Sequence, residues 1–144
     1  MVINDDTYHL IINAFPNVPP EIGCILGSMN DVVCKFAMDM GIPRYDAAVY
    51  TPDVCHINQI INEWAEEGIK FCGLAHSHPP TQKSLSQNDN IYITKIMQTM
   101  PPSVDVLYFP LVFSGTEMLS FAAVKNNCAI DIRPDHIIIQ NKRR

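Results

Sequence analysis

Apolar positions recur at helical spacing in three places along the chain and gather into short blocks elsewhere. In residues 7–16, Tyr8, Ile11, Ile12 and Phe15 share one stripe, which predicts a helix halted by Pro16. After the Pro-bounded turn Asn17–Pro20, the block Glu21–Ser28 reads as a buried strand. Asp31–Met40 reads as its partner, joined through the turn at Ser28–Asp31. Residues 41–53 are expected to form a loop, with a short strand at Ala47–Tyr50.

The strongest helical pattern is Asp53–Gly68. Asp53 can cap it, Ile57, Ile60, Ile61 and Trp64 make its inner face, and Gly68 ends it. The continuous apolar run Ile69–Ala75 predicts a central strand. A helix over Ser86–Met100, capped by Ser86, stops before Pro101 and Pro102. Val104–Phe113 and Met118–Lys125 read as an antiparallel pair turning at Ser114–Gly115, and Cys128–Arg133 and His136–Gln140 as closing strands. This order predicts an α/β protein of the α+β type, with a largely antiparallel mixed sheet flanked by helices. At 144 residues, with no long linker, the whole chain 1–144 is expected to be one domain.

Charge narrows the range of partners. The net charge is −5 and the Lys and Arg residues are scattered, apart from the closing Lys142, Arg143 and Arg144. No basic stripe suits nucleic acid, and no apolar run approaches the ~18 residues of a membrane span. The first residues lack the basic-then-apolar pattern of a secretory signal, so the expected location is cytoplasmic. The five cysteines are odd in number and contain no CxxC. Cys24, Cys34, Cys72 and Cys128 lie in apolar stretches and read as buried free thiols in a reducing compartment, not as a structural zinc knuckle.

The chemistry concentrates between Gly73 and Asp89, in GLAHSHPPTQKSLSQND. His76 and His78 are two apart at the end of a strand, so their rings project to the same face. Asp89 lies eleven residues beyond His78, in the first turn of the next helix. Two histidines and a carboxylate with an open fourth position make the ligand set of a catalytic Zn²⁺ ion. Such an ion lowers the pKa of its water to ~7. A zinc hydrolase also needs a proton carrier. Glu21, at the mouth of an apolar strand rather than on a polar helix face, is the candidate. Ser86 could donate a hydrogen bond to an oxyanion. Ser86 and Asp89 also satisfy the capping-box pattern S-x-x-D, a purely structural role that would still orient Asp89. His9, His56 and His136 have no partner at ligand spacing, and Cys24 and Cys72 read as inert core thiols.

Glu21, followed by His76-Ser77-His78, seven residues, Ser86, two residues and Asp89, resembles the signature E…H-[ST]-H-x7-S-x-x-D of the JAB/MPN (JAMM) metalloproteases. EIGCILGS is similar to the E-x-G-G-x-L-x-G strand of the prokaryotic JAB-type branch, and GLAHSHP to its G-x-x-H-S-H-P. Cys24, Ser28, Ala75 and Leu85 depart from the usual residues of these motifs, and none is a ligand position.

The resemblance implies a cytidine-deaminase-like architecture. It implies one zinc held by His76, His78 and Asp89, with Glu21 as general acid/base and Ser86 at the oxyanion. It also implies a substrate class: a ubiquitin-like or sulfur-carrier protein cut after its C-terminal Gly-Gly, with E1-like or E2-like proteins as further partners. The loop Gly41–Asp53 would wall the groove for the substrate tail. Two other readings stay open on the sequence. One is a non-catalytic MPN-type scaffold domain; the other is a JAB hydrolase acting on a peptidoglycan-type peptide.

Overall fold

A computed structural model describes residues 1–17, 20–42 and 49–141. Its elements in chain order are β1 (Val2–Asn4), α1 (Asp5–Ala14), β2 (Gly23–Met29), β3 (Val32–Asp39), α2 (Val54–Glu66), β4 (Lys70–Ser77) and α3 (Gln87–Thr99). They are followed by β5 (Val106–Tyr108), β6 (Leu111–Phe113), β7 (Glu117–Asn126), β8 (Ala129–Asp135) and β9 (Ile138–Gln140). The strands make one mixed sheet. The longest ladders, β2–β3, β2–β4 and β7–β8, are antiparallel. β1 runs parallel to β3 and β9, and β4 runs parallel to β5 and β6.

The run Val104–Phe113 does pair antiparallel with β7, but as two pieces, β5 and β6. Pro110 has no N–H to give to a ladder, which explains the break. Both pieces lie between β7 and β4. Across the gap, His76 donates its backbone N–H to the Pro110 carbonyl (3.1 Å), and His78 donates its own to Val112 (3.2 Å). Gly73 permits the pinch beside the break, because a Cβ there would lie 1.9 Å from the Tyr108 carbonyl oxygen.

The sheet is buried on both faces, so its central strands are nearly all apolar. On one face Ile11 and Ile12 of α1, with Phe15 just beyond its end, pack against Cys24, Leu26, Ala75 and Val112. On the other, α2 and α3 pack Ile57, Trp64, Ile93 and Met97 against Ile25, Leu74, Leu107 and Phe109. β2 alternates between these clusters, Cys24 and Leu26 facing one and Ile25 the other. α2 starts where expected, with the Asp53 side chain accepting from the His56 N–H (3.3 Å). No helix among the described residues is long and apolar enough to cross a membrane.

Three local expectations change. β1 has only three residues and is held by non-local parallel pairing, so periodicity did not reveal it. α1 begins at Asp5 and ends at Ala14, before Phe15 and Pro16. Cys24 is buried and Cys34 and Cys72 are half-buried, but Cys128 is exposed. It sits in the turn between β7 and β8, where Asn127 takes a left-handed conformation (φ 56°), out beyond the core. All five thiols are free. Residues 43–48, which include half of the expected strand Ala47–Tyr50 and part of the proposed groove wall Gly41–Asp53, fall outside the described residues, while Val49 and Tyr50 are described and belong to no strand.

Candidate metal centre

β4 carries His76 near its end, and His78 follows one residue beyond it. The i, i+2 spacing keeps both rings on the face covered by α3. α3 opens with a complete capping box. The Ser86 side chain accepts from the Asp89 N–H (3.1 Å), and the Asp89 carboxylate accepts from the Ser86 N–H (2.8 Å). The same carboxylate oxygen, Oδ2, lies 3.1 Å from His76 Nε2 and 3.1 Å from His78 Nε2. The two Nε2 atoms are 3.0 Å apart. Three donor atoms from a strand end and a helix start thus form a nearly equilateral triangle. His76, His78 and Asp89 are all buried, at 0%, 2% and 2% exposure.

Glu21 approaches the same place from the other side. It precedes β2 by two residues instead of belonging to it. Its Oε1 lies 4.0 Å from His78 Nε2. Ser77, between the histidines, anchors that segment: its Oγ accepts from the Ile22 N–H (3.0 Å), and its own N–H donates to the Ile22 carbonyl (2.9 Å). Glu21, His76 and His78 each offer a ligand atom within 4.8 Å of one another and could hold a metal ion.

Hydrogen accounting favours a cation here. His78 Nδ1 faces the Gln82 carbonyl at 3.0 Å, and a carbonyl only accepts, so Nδ1 carries the proton. In the neutral ring Nε2 is then a lone pair, pointing at a carboxylate oxygen that is also an acceptor. Only a cation between them, a proton or a metal ion, relieves that contact. The titration shifts follow the same logic. Burial lowers the pKa of His76 and the neighbouring His78 lowers it further, against the pull of Asp89, so this ring is neutral at pH 7. Burial alone would also lower His78. The bonds to Asp89 and the Gln82 carbonyl, with the charges of Asp89 and Glu21, overcome this and raise it above 6.5. Burial works against the Asp89 carboxylate, but its bonds to both imidazoles and to the Ser86 N–H hold it well below the usual carboxylate range.

A pH dependence follows. Below the raised pKa of His78 its Nε2 is occupied by a proton, so a metal ion must displace it. Metal affinity is expected to fall as pH drops through that titration, by about tenfold per unit for one displaced proton. Chelator competition across neutral and mildly acid pH measures this, and an affinity flat over that range would contradict it.

The five residues singled out in the sequence therefore meet at one place, with Ser86 acting through its cap on Asp89. The sequence reading missed the supports. Ser77 was recognisable as a polar residue facing away from two histidines in an otherwise apolar strand. Tyr92 lies three residues after Asp89, one helical turn on, and its hydroxyl is 3.0 Å from His76 Nδ1. Tyr50 stacks on the His76 ring (centroids 5.8 Å apart, planes at 17°) and bonds through its hydroxyl to the buried Asp39 carboxylate (2.5 Å). Gly23 makes room for it, since a Cβ there would come within 2.2 Å of the Tyr50 ring.

No protein-family model matches the chain, and no curated protein matches it. Solved structures do. Protein DSY2949 from Desulfitobacterium hafniense superposes with a TM-score of 0.68 at 15% identity, covering 98% of this chain and 93% of that one. A protein from Salinibacter ruber superposes with a TM-score of 0.55 at 17% identity, covering 97% of this chain and 92% of that one. At such identities the likeness concerns the fold, a mixed α+β architecture with a large sheet.

Proposed function

We propose that this chain is a zinc-dependent isopeptidase or peptidase of the JAMM type, with the cytidine-deaminase-like architecture of that family. Its substrate is a ubiquitin-like or sulfur-carrier protein, cut after the C-terminal Gly-Gly. The observation that carries this reading is the buried triangle of His76 Nε2, His78 Nε2 and Asp89 Oδ2, with edges of 3.0–3.1 Å. Tetrahedral zinc, with N and O ligands at 2.0–2.2 Å, spaces them by about 3.3–3.5 Å. The three atoms need to spread by only a few tenths of an ångström to fit. The set is two imidazoles and one carboxylate, the composition of a catalytic zinc site that leaves one position for solvent or substrate.

Zinc bound there supplies a Lewis acid for the scissile carbonyl and a water whose pKa falls to ~7. The chain's own groups do the rest. Glu21, its side chain only 13% exposed and 4.0 Å from His78 Nε2, is placed to take a proton from the attacking water and return it to the leaving amine. Ser86, already holding Asp89 through the cap, has an O–H left to donate to the oxyanion. A Gly-Gly tail suits a narrow approach, where side chains would clash.

The test is a Gly-Gly-linked fusion of a ubiquitin-like or sulfur-carrier protein, incubated with zinc-loaded and with chelator-stripped protein. Cleavage after the second glycine by the loaded form alone is expected. A protein that holds one zinc per chain and leaves every such fusion intact would remove this substrate class.

A further inference from the structure

We infer that Tyr92 is a positioning residue that sets the hydrogen-bond direction of His76, so that its Nε2 can pass between donating to Asp89 and ligating a metal ion. This rests on the metal-site reading above. The two histidines are supported unequally. His78 Nδ1 faces a backbone carbonyl, an acceptor only, so its Nδ1 keeps a proton in every state and Nε2 is the atom left to ligate once any proton there is displaced. His76 Nδ1 faces a hydroxyl, which can donate or accept.

His76 then has a satisfied arrangement in each state. Without metal, His76 Nε2–H donates to Asp89 Oδ2 at 3.1 Å, and the Tyr92 O–H donates to Nδ1 at 3.0 Å. With metal on Nε2, the ring proton must sit on Nδ1 and donate to the Tyr92 oxygen. The bond reverses without either heavy atom having to move. A carboxylate or carbonyl at this place would hold the metal-ready tautomer only, and a Phe would serve neither.

The surroundings keep the ring still while the bond reverses. Tyr50 lies against the face of His76, and Tyr92 meets its edge (centroids 5.9 Å apart, planes at 75°). Tyr50 and Tyr92 brace each other edge to face at 6.0 Å. The Asp39 carboxylate, 1% exposed, fixes the far end of Tyr50. His76 itself has no exposed surface, and the Tyr92 hydroxyl is the partner that faces its Nδ1. Outer partners of this kind orient metal-ligating histidines, and losing one typically costs about 10- to 100-fold in metal affinity.

The experiment uses the full chain, wild type and Tyr92→Phe. Long-range ¹⁵N–¹H spectra of the imidazoles report the tautomers, and zinc competition with a chromophoric chelator reports affinity. In the wild type, His76 should carry its proton on Nε2 without metal and on Nδ1 with zinc. Tyr92→Phe should bind zinc about 10- to 100-fold more weakly, with the metal-free melting temperature kept as a control for folding. Unchanged affinity in the variant overturns the inference. So does a wild-type His76 whose tautomer is the same with and without zinc, a result that needs no variant to fold. A wild type that takes up no zinc overturns the metal site itself. In that case the metal-free spectrum still judges Tyr92, since a proton on His76 Nδ1 there would refute the assigned bond.

Discussion

Glu21→Gln is expected to leave zinc affinity within a few-fold of the wild type and to lower hydrolysis by about 10²–10⁴-fold, the usual contribution of a positioned general acid/base. The distances separate the two carboxylates. Asp89 Oδ2 is 3.1 Å from both Nε2 atoms, where a shared ion would place a ligand. Glu21 Oε1 lies farther out, 4.0 Å from His78 Nε2. The glutamine keeps the size of the side chain and much of its hydrogen bonding but has no basic oxygen. Turnover against the Gly-Gly fusion and zinc stoichiometry, measured on the same preparation, check this. The geometry also allows the opposite assignment, because Glu21 and the two histidines could form a ligand set by themselves. Loss of zinc together with activity in Glu21→Gln would show that Glu21 is a ligand and not the proton carrier.

Asp89→Asn is the second large effect, and it acts on binding. The amide keeps an oxygen that can accept from the Ser86 N–H, so the cap and the start of α3 should survive. The anion between the two buried imidazoles is gone, however, and with it the third ligand. For the wild type, zinc at a hundred times its Kd stabilises the fold by about 2.7 kcal/mol, which for a chain of this length is a rise of roughly 5–11 °C in Tm. Asp89→Asn is expected to show almost none of this rise and no stoichiometric zinc. Calorimetry of both proteins with and without zinc gives the comparison. A variant with the full zinc-dependent rise would hand the third position to Glu21.

The sequence by itself determined the parts whose rules are local. The capped helix ending at Gly68 and the 69–75 core run follow from residues within a turn or two of one another. So does the face shared by His76 and His78, because strand geometry allows no other placement at that spacing. The capping box that orients Asp89 was readable for the same reason.

Tertiary structure decided the rest. β1 exists only because β3 and β9 flank it. Glu21 reaches the histidines because Ser77 grips Ile22 across 55 residues of chain. Tyr50, by contrast, reaches His76 from another layer, over a glycine on β2 that leaves space for its ring. Cys128 looked apolar by its neighbours, yet it lies on a turn that overruns the core. Local periodicity states which face a side chain takes. Which side chains meet there depends on how layers distant in sequence pack, and a pattern confined to one element carries no record of that.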